Sequence, residues 1–421
     1  MKHSITTRTT SAKSHHTKNE RAVKQIPYNS RRVSPGGGLA MALLAATLFT
    51  TTQSAWAQKL TTLYNFTGGN DGGSPYAGPI LGANGVLYGT AAAGGSHCTG
   101  IGGCGVIFQL SRSGVETVLH DFAGGNSSDG AFPENPLIRD SNGNLYGTTG
   151  AGGKFYKGTA FELTSNDTER VLHNFSGGTD GLGPSQLVRD ELGNLYGTTV
   201  TGGEHNFGSV FRLDPIGTKT LLYSFTGDKD GAYSYGGLVL DAHGNLYGST
   251  SSGGPHRFGT VFVLTPAGKV TVLYTFTGGT DAGSPNGSLL RDAKGDLYGT
   301  SLSGGAFGYG TVFKVTSTGI ETVLHSFSGK GDGYYPNGGL VRDAHGNFYG
   351  TTNGAGCTGE SCSGSVFELS SSGVETVLYT FKGGSDGFYP SNLAIDTAGT
   401  LFGTTYGGGA FGAGTVFSLV P

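Results

Sequence analysis

The four-residue phrase Leu-Tyr-Gly-Thr, or a close variant of it, recurs seven times in this chain. The copies begin at residues 87, 145, 195, 246, 297, 348 and 401, so their spacing is 58 residues once and otherwise between 50 and 53. A period of this length indicates a repeat architecture in which each unit buries its apolar surface against its neighbours. Positions that are the same in all units should build the framework. A single binding site should instead use residues that differ between units.

One unit contains four short segments with the composition of β-strands. In the unit that begins at Gly237 these are residues 238–241, 245–250, 260–265 and 270–276, which are rich in Val, Leu, Tyr, Phe and Thr. No segment has the spacing of an amphipathic helix. Four antiparallel strands repeated about every 51 residues therefore predict an all-β fold, a seven-bladed β-propeller.

The two ends of the repeat region carry complementary fragments of a unit. Residues 60–66 match a fourth strand, whereas residues 415–419 match a third strand and have no fourth strand after them. We expect the N-terminal segment to serve as the outer strand of the last blade and so to close the ring.

Residues 1–57 lie outside the repeats and have the layout of an export signal. A stretch with eight Lys and Arg and one Glu comes first, then an apolar run from Leu39 to Phe49, then Ala55-Trp56-Ala57, which has the pattern of a cleavage site. The apolar run is too short for a membrane-spanning helix. We expect a signal peptide at 1–57 and a single propeller domain at 58–421 that is extracellular, periplasmic or bound at the cell surface.

The charge of the remaining chain limits its partners. Residues 58–421 carry a net charge of −10, because the leader takes eight of the 26 Lys and Arg and one of the 29 Asp and Glu. Such a surface repels phosphate backbones, which argues against nucleic acid as a partner. We expect a monomer without a transmembrane segment after signal cleavage and without a cofactor, whose partner is a polysaccharide or an envelope protein.

The repeated phrases carry a family resemblance. GTVFxL, VLYxF, GGxDG and GNLYGT together resemble the choice-of-anchor tandem-repeat GloVer-type family of exported bacterial proteins, and the resemblance covers residues 60–421. It implies a secreted or cell-envelope propeller of bacterial origin. It brings no defined activity with it.

An aspartate lies in every crossing from one unit to the next. These residues are Asp71, Asp129, Asp180, Asp230, Asp281, Asp332 and Asp386. Recurrence in every unit favours a structural role, in which the carboxylate fixes the turn. An acidic rim that binds a ligand is the alternative. Calcium takes about six to eight oxygen ligands, and the sequence has no Asp-x-Asp-x-Asp-Gly loop, so we expect no metal site.

Aromatic and histidine residues accompany these aspartates, both in the crossings and in the loops between second and third strands. The candidate ligand-binding rim adds Phe155, Tyr156, His205, Phe207, His256, Phe258, Tyr309, Tyr334, Tyr335, Phe388 and Tyr389. The aromatic rings could stack on sugars or anchor a partner. Because these positions recur with the period, packing between neighbouring blades is the alternative. His205 and His256 belong to adjacent units but lack a paired carboxylate motif, so they predict no metal site.

The four cysteines form two local pairs, each in the loop between a second and a third strand. The pairs are Cys98 with Cys104 and Cys357 with Cys362, in the first and sixth units. In an exported chain, close pairs of this kind predict two disulfides that close their loops.

The two faces of the predicted propeller differ in their loops. One face has only tight turns, so we expect a binding or structural module that acts through the opposite, loop-rich face. No catalytic residue is predicted. The alternative is a carbohydrate-active hydrolase or lyase that uses two of the rim carboxylates.

Overall fold

The computed structural model describes residues 59–97, 103–124, 129–355 and 363–421. They form seven antiparallel sheets of four or five strands and one further two-stranded pairing, so the chain is an all-β, seven-bladed β-propeller. Helical structure in the described residues is limited to 3-10 turns at Ala83–Gly85 and Gly178–Asp180. None of their helices has the length and apolar character needed to cross a membrane.

Within each blade the strands follow one another from the first, which is innermost, to the fourth, which is outermost. The first strands are Ile80–Leu81, Ile138–Arg139, Val188–Arg189, Val239–Leu240, Leu290–Arg291, Val341–Arg342 and Ala394–Ile395. The second strands are Leu87–Ala91, Leu145–Thr149, Leu195–Thr201, Leu246–Thr250, Leu297–Gly304, Phe348–Gly354 and Leu401–Gly407. The third strands are Val106–Leu110, Thr159–Leu163, Ser209–Leu213, Thr260–Leu264, Thr311–Val315, Ser365–Leu369 and Thr415–Val420.

The outermost strands lie at the rim of the ring. In blades one to six they are Glu116–Asp121, Glu169–Asn174, Lys219–Ser224, Val270–Thr275, Glu321–Ser326 and Glu375–Thr380. In the seventh blade the corresponding place beside Thr415–Val420 is taken by Lys59–Asn65, which pairs antiparallel with it, with Lys59 opposite Val420. The last sheet therefore combines strands from both ends of the described chain.

Short strands precede the first strand in several blades and pair with the far end of the second strand. They are Gly130–Ala131, Leu182–Pro184, Ala282–Pro285, Tyr334–Pro336 and Phe388–Pro390, the first of which pairs with Ala151–Gly152. The predicted first strand at 238–241 is shorter in the structure, Val239–Leu240. The reason is that the residues before it leave the sheet, so the innermost strand is interrupted.

The hydrophobic core lies between blades. The Phe that follows each fourth strand packs edge-on against the Phe of the third strand in the next blade, and both rings are buried. Ring centroids are 4.9 Å apart for Phe276 and Phe313 and 5.4 Å apart for Phe122 and Phe161. All seven interfaces contain such a pair. Each blade therefore completes the core of its neighbour, as expected for units that cannot fold alone.

The repeated phrase supplies a close packing contact within each blade and a hydrogen bond within most of them. A Cβ added to Gly248 would lie 2.7 Å from Cζ of Phe262, so only glycine leaves room for that ring. The neighbouring Tyr247 hydroxyl donates a hydrogen bond of 3.1 Å to Asp241, which also accepts the backbone N–H of Asn245 in the tight turn between first and second strands. The tyrosine of the phrase makes the same contact in five blades. It is therefore part of the framework.

Candidate functional site in the central channel

The interrupted innermost strands surround a cavity on the axis of the propeller. In the third blade Leu182–Pro184 and Val188–Arg189 both pair with the second strand, and the strand pairing is interrupted between them. Equivalent segments of all seven blades line one cavity of about 430 Å³. Gly150 and Val200, at the far ends of second strands, also line it. The cavity therefore lies toward the face that carries the loops between second and third strands.

A left-handed residue stands at the start of each of these segments. Its φ lies between 50° and 63° in every blade: Ser74, Phe132, Gly183, Tyr233, Ser284, Tyr335 and Tyr389. Bulky residues rarely adopt this left-handed conformation, which costs on the order of 1–3 kcal/mol. The preceding blade holds it in place, because the Tyr335 N–H donates to the Tyr309 carbonyl at 2.8 Å and five other blades have the equivalent bond.

The segments differ in length, because five blades have one residue more than the other two. The repeated phrase begins 13 positions after the left-handed residue in five blades and 12 positions after it in the third and seventh. The additional residue is Tyr76, Glu134, Tyr235, Asn286 or Asn337, and all five line the cavity. The framework is thus repeated, whereas this position at the axis holds Tyr, Glu or Asn according to the blade.

Apart from Glu134, the polar side chains of the cavity wall are uncharged. The Asn286 amide donates to Oδ1 of Asn337 at 2.9 Å, and across the ring the Ser288 hydroxyl donates to Oε1 of Gln186 at 2.9 Å. Among the described residues the lining contains no Lys, Arg or His. These contacts hold the amides in place while leaving Asn286 Oδ1, Asn337 Nδ2 and Gln186 Nε2 without a partner in the described part of the chain.

Glu134 is the one carboxylate in the described lining. It has neither a hydrogen bond nor an ion pair with any described residue, and its side chain remains accessible from the cavity. Partial burial against the channel wall raises the pKa of Glu134 above its ordinary 4.5. Glu134 also lies near the Tyr76 phenol, whose pKa is raised by burial and by the charge of this carboxylate.

A second cavity of about 260 Å³ adjoins the first and is richer in aromatic surface. Its walls include Tyr76, Tyr389 and Tyr406, and the rings of Tyr76 and Tyr406 meet edge-on at 5.7 Å. Half of the Tyr76 side chain is exposed, 52%. Tyr76, Asn337 and Ser391 border both cavities. The two cavities therefore share part of their walls, which combine tyrosine rings with side-chain amides.

The seven crossing aspartates line neither cavity. Each carboxylate accepts a backbone N–H within its own turn, as Asp71 does from Thr67 at 2.8 Å. Equivalent bonds fix Asp129, Asp180, Asp230, Asp281, Asp332 and Asp386. In most blades the Tyr or His of the outer strand adds a second bond, such as Tyr64 to Asp71 at 2.9 Å. The geometry gives these aspartates a role as turn caps, and ligand binding by them stays a prediction.

The fourth strand of the next blade places a residue near the crossing aspartate, and the charge of this residue differs between blades. Lys219 reaches Asp180 at 2.8 Å, so that interface has an ion pair. Four interfaces instead place a glutamate there: Glu116, Glu169, Glu321 and Glu375. Burial, and secondarily the charge of the aspartate, raises the pKa of each of these glutamates to about 7.

One of these interfaces brings together three groups that can ligate a metal. His120, Asp129 and Glu169 each offer an atom within 4.8 Å of the others. Both Asp129 oxygens already accept backbone N–H groups, from Ala123 at 2.7 Å and Gly130 at 2.8 Å. Because a turn cap explains the aspartate, we assign no metal to this group.

Part of the predicted aromatic rim lies where neighbouring blades meet. Tyr309 contacts Tyr334 and Tyr335 of the next blade, with ring centroids 6.1 and 6.2 Å apart, and Phe207 packs near Tyr233. The remaining predicted residues are Phe155, Tyr156, His205, His256, Phe258, Phe388 and Tyr389. Of the whole predicted rim, only Tyr389 lines either of the two cavities. The structure thus joins part of this set into blade-to-blade contacts rather than into one site.

Two predictions fall largely outside the described residues. The export signal at 1–57 is one of them. Of the predicted disulfide residues, Cys98, Cys357 and Cys362 also lie outside, whereas Cys104 is described and its side chain is buried.

The central residues went unrecognised in the sequence, although a signal for them is present. Between each crossing and the first strand the copies disagree in both residue type and length, for instance Glu134 in one blade and Tyr235 in another. Seven segments that differ in this way could have been recognised as converging on the axis once the propeller was predicted.

Comparisons with known structures support the fold. Virginiamycin B lyase from Staphylococcus aureus superposes with a TM-score of 0.56 at 13% identity, covering 86% of this chain and 99% of the lyase. The extracellular domain of a one-component system from B. thetaiotaomicron gives a TM-score of 0.54 at 10% identity, covering 86% of this chain and 40% of that one. At these identities the likeness concerns the fold alone.

No curated protein sequence matches the chain. A family model does match, that of the Gloeobacter/Verrucomicrobia repeat, over residues 45–189 and again over residues 183–417. These two matches span most of the chain and include all seven repeated phrases. The chain therefore belongs to the Gloeobacter/Verrucomicrobia repeat family.

Proposed function

We propose that this chain is an exported binding module that holds its ligand in the central cavity, at the loop-rich face of the propeller. The observation that carries the proposal is the contrast between framework and lining. Glycine and phenylalanine positions repeat in every blade, whereas equivalent positions at the axis hold different residue types, such as Glu134, Tyr235 and Asn286. A single ligand on the axis explains why these equivalent positions differ.

The size of the cavity favours a compact ligand. A volume of about 430 Å³ lies within the range of small-molecule sites, about 300–1,000 Å³. A stable protein partner would instead need about 800 Å² of contact on each side. A carbohydrate, or the end of a carbohydrate chain, fits a concave site whose walls combine tyrosine rings with side-chain amides.

A carbohydrate-active hydrolase or lyase is the second candidate function, and Glu134 is the observation that favours it. Its accessible carboxyl with a raised pKa has the character of a general acid. However, glycosidases ordinarily use two carboxyl groups on either side of the scissile bond. The described lining supplies one, and the crossing aspartates cap turns, so binding without cleavage is the better supported function.

Retention on a panel of immobilised polysaccharides tests the proposal, with reducing-end release measured on the same samples. We expect retention without release, and about fivefold weaker retention for Tyr235→Ala, because that ring is 49% exposed and lines the cavity. Phe411→Ala is the matched control, since Phe411 is 64% exposed and outside both cavities. Release of reducing ends that Glu134→Gln abolishes would establish the hydrolase or lyase instead. Equal losses for the two aromatic variants would place the ligand elsewhere.

A further inference from the structure

We propose that the central cavity selects uncharged saccharides and that Glu134 is the residue that excludes acidic ones. This inference rests on the proposed function, because it specifies the ligand of the same site. It concerns the charge of the ligand, which the size and shape of the cavity leave open.

The electrostatics of the lining carry the argument. A uronate, a sialate or a sulfated sugar needs cationic or strongly donating groups to replace the water around its charge. The described walls offer no Lys, Arg or His, and the nearest charge to an entering ligand is the Glu134 carboxylate. A ligand carboxylate in this space would meet no cation of the described lining and would be repelled by Glu134.

The same walls are suited to hydroxyl groups, which donate and accept hydrogen bonds. Asn286, Asn337 and Gln186 are oriented by bonds to one another and to Ser288, and each keeps one donor or acceptor unpaired in the described structure. Glu134 itself accepts hydrogen bonds from sugar hydroxyls when it is ionised. An uncharged sugar therefore satisfies these groups without placing a negative charge beside Glu134.

Glu134 occupies a position at which its charge can act as a filter. It is the additional residue of the second blade, where other blades have Tyr76, Tyr235, Asn286 and Asn337, and like them it lines the cavity. No described residue neutralises it. Changing this one side chain to its amide removes the charge and nearly preserves the shape of the cavity.

The test compares one glycan in two charge states. The neutral polysaccharide that binds best in the panel is titrated as an oligosaccharide at pH 8, before and after oxidation of its primary hydroxyls to carboxylates. We expect the oxidised form to bind the wild-type protein at least about tenfold more weakly. Glu134→Gln should recover most of that loss, measured as the ratio of the neutral to the oxidised affinity in the variant against the same ratio in the wild type.

Glu204→Gln is the matched control, since Glu204 is exposed in a loop between second and third strands and lines neither cavity. It removes one negative charge from the protein and should leave the tenfold preference unchanged. A recovery as large for Glu204→Gln as for Glu134→Gln would overturn the assignment to Glu134, because net charge would then explain the preference.

Two outcomes separate this inference from the proposed function. Equal binding of the neutral and oxidised glycans, or binding of acidic glycans alone, overturns the charge selection and leaves the binding module standing. Absence of retention by every glycan, with Tyr235→Ala indistinguishable from wild type for any captured ligand, overturns the proposed function together with this inference.

Discussion

Replacement of Gly248 by alanine tests whether the repeated phrase is a framework element. The new Cβ would lie 2.7 Å from Phe262 Cζ and 2.9 Å from Leu238 Cδ2, whereas carbon atoms pack best at about 3.5–4.0 Å. The ring must therefore move by about 1 Å. Phe262 is fully buried and packs on Phe225 of the preceding blade at 5.2 Å, so it can move only by disturbing the core between blades.

The expected loss follows from two opposing effects. Overpacking of a buried core costs about 1–3 kcal/mol. Replacing glycine also stabilises the fold by about 0.4–1 kcal/mol, because the unfolded chain loses freedom. We therefore expect Gly248→Ala to lower the free energy of unfolding by about 1–2 kcal/mol, measured from the guanidinium midpoint at constant slope.

Gly384→Ala is the control for this experiment, because a Cβ there would meet no atom within 4 Å and the backbone of Gly384 is not left-handed. It should change the free energy of unfolding by less than about 0.5 kcal/mol. If Gly248→Ala proved as mild as Gly384→Ala, the close packing of glycine on phenylalanine would not be what the repeated phrase provides.

Three further predictions concern the framework. Tyr247→Phe should cost about 1 kcal/mol in urea unfolding, because Asp241 loses a hydrogen bond, and a cost near zero would show that the contact contributes nothing. Removal of residues 59–66 should lower the melting temperature markedly, because Lys59–Asn65 is the outer strand beside Thr415–Val420 and Phe66 is fully buried; an unchanged melting curve would refute closure of the ring by this strand. The glutamates that face crossing aspartates have a pKa raised from 4.5 to about 7, so the folded state binds their protons more tightly and the free energy of unfolding should fall as pH rises from about 4.5 to about 7. Glu321→Gln should make that fall shallower, and an unaltered slope would exclude its contribution.

The sequence predicted the blades closely because their determinants are local. Expected strands at 260–265 and 270–276 correspond to Thr260–Leu264 and Val270–Thr275 in the structure. The turn from Asp241 to Asn245 also forms as its Gly and Asp residues indicate. The family that these phrases resemble is confirmed. The phrases occur together because they carry the contacts between neighbouring blades.

The candidate site was less predictable because it depends on contacts far apart in the chain. Gln186 meets Ser288, 102 residues away, and no local pattern specifies that distance. The left-handed conformation of Tyr233 and Tyr335 was equally hidden, since neither residue type favours it and a carbonyl in the preceding blade holds it. The sequence predicted a ligand-binding rim from acids and aromatics that recur along the chain. Recurrence of this kind is, however, what framework positions produce.

The additional residue found in five blades has a consequence for how such proteins can diversify. Tyr76, Glu134, Tyr235, Asn286 and Asn337 occupy equivalent slots around one axis, and none belongs to the interblade core. Their identities can therefore be exchanged without altering the fold. The combination of side chains at these five positions then determines which ligand the cavity recognises. Relatives that share every strand could then recognise unlike molecules, and a single ring could be reprogrammed one blade at a time.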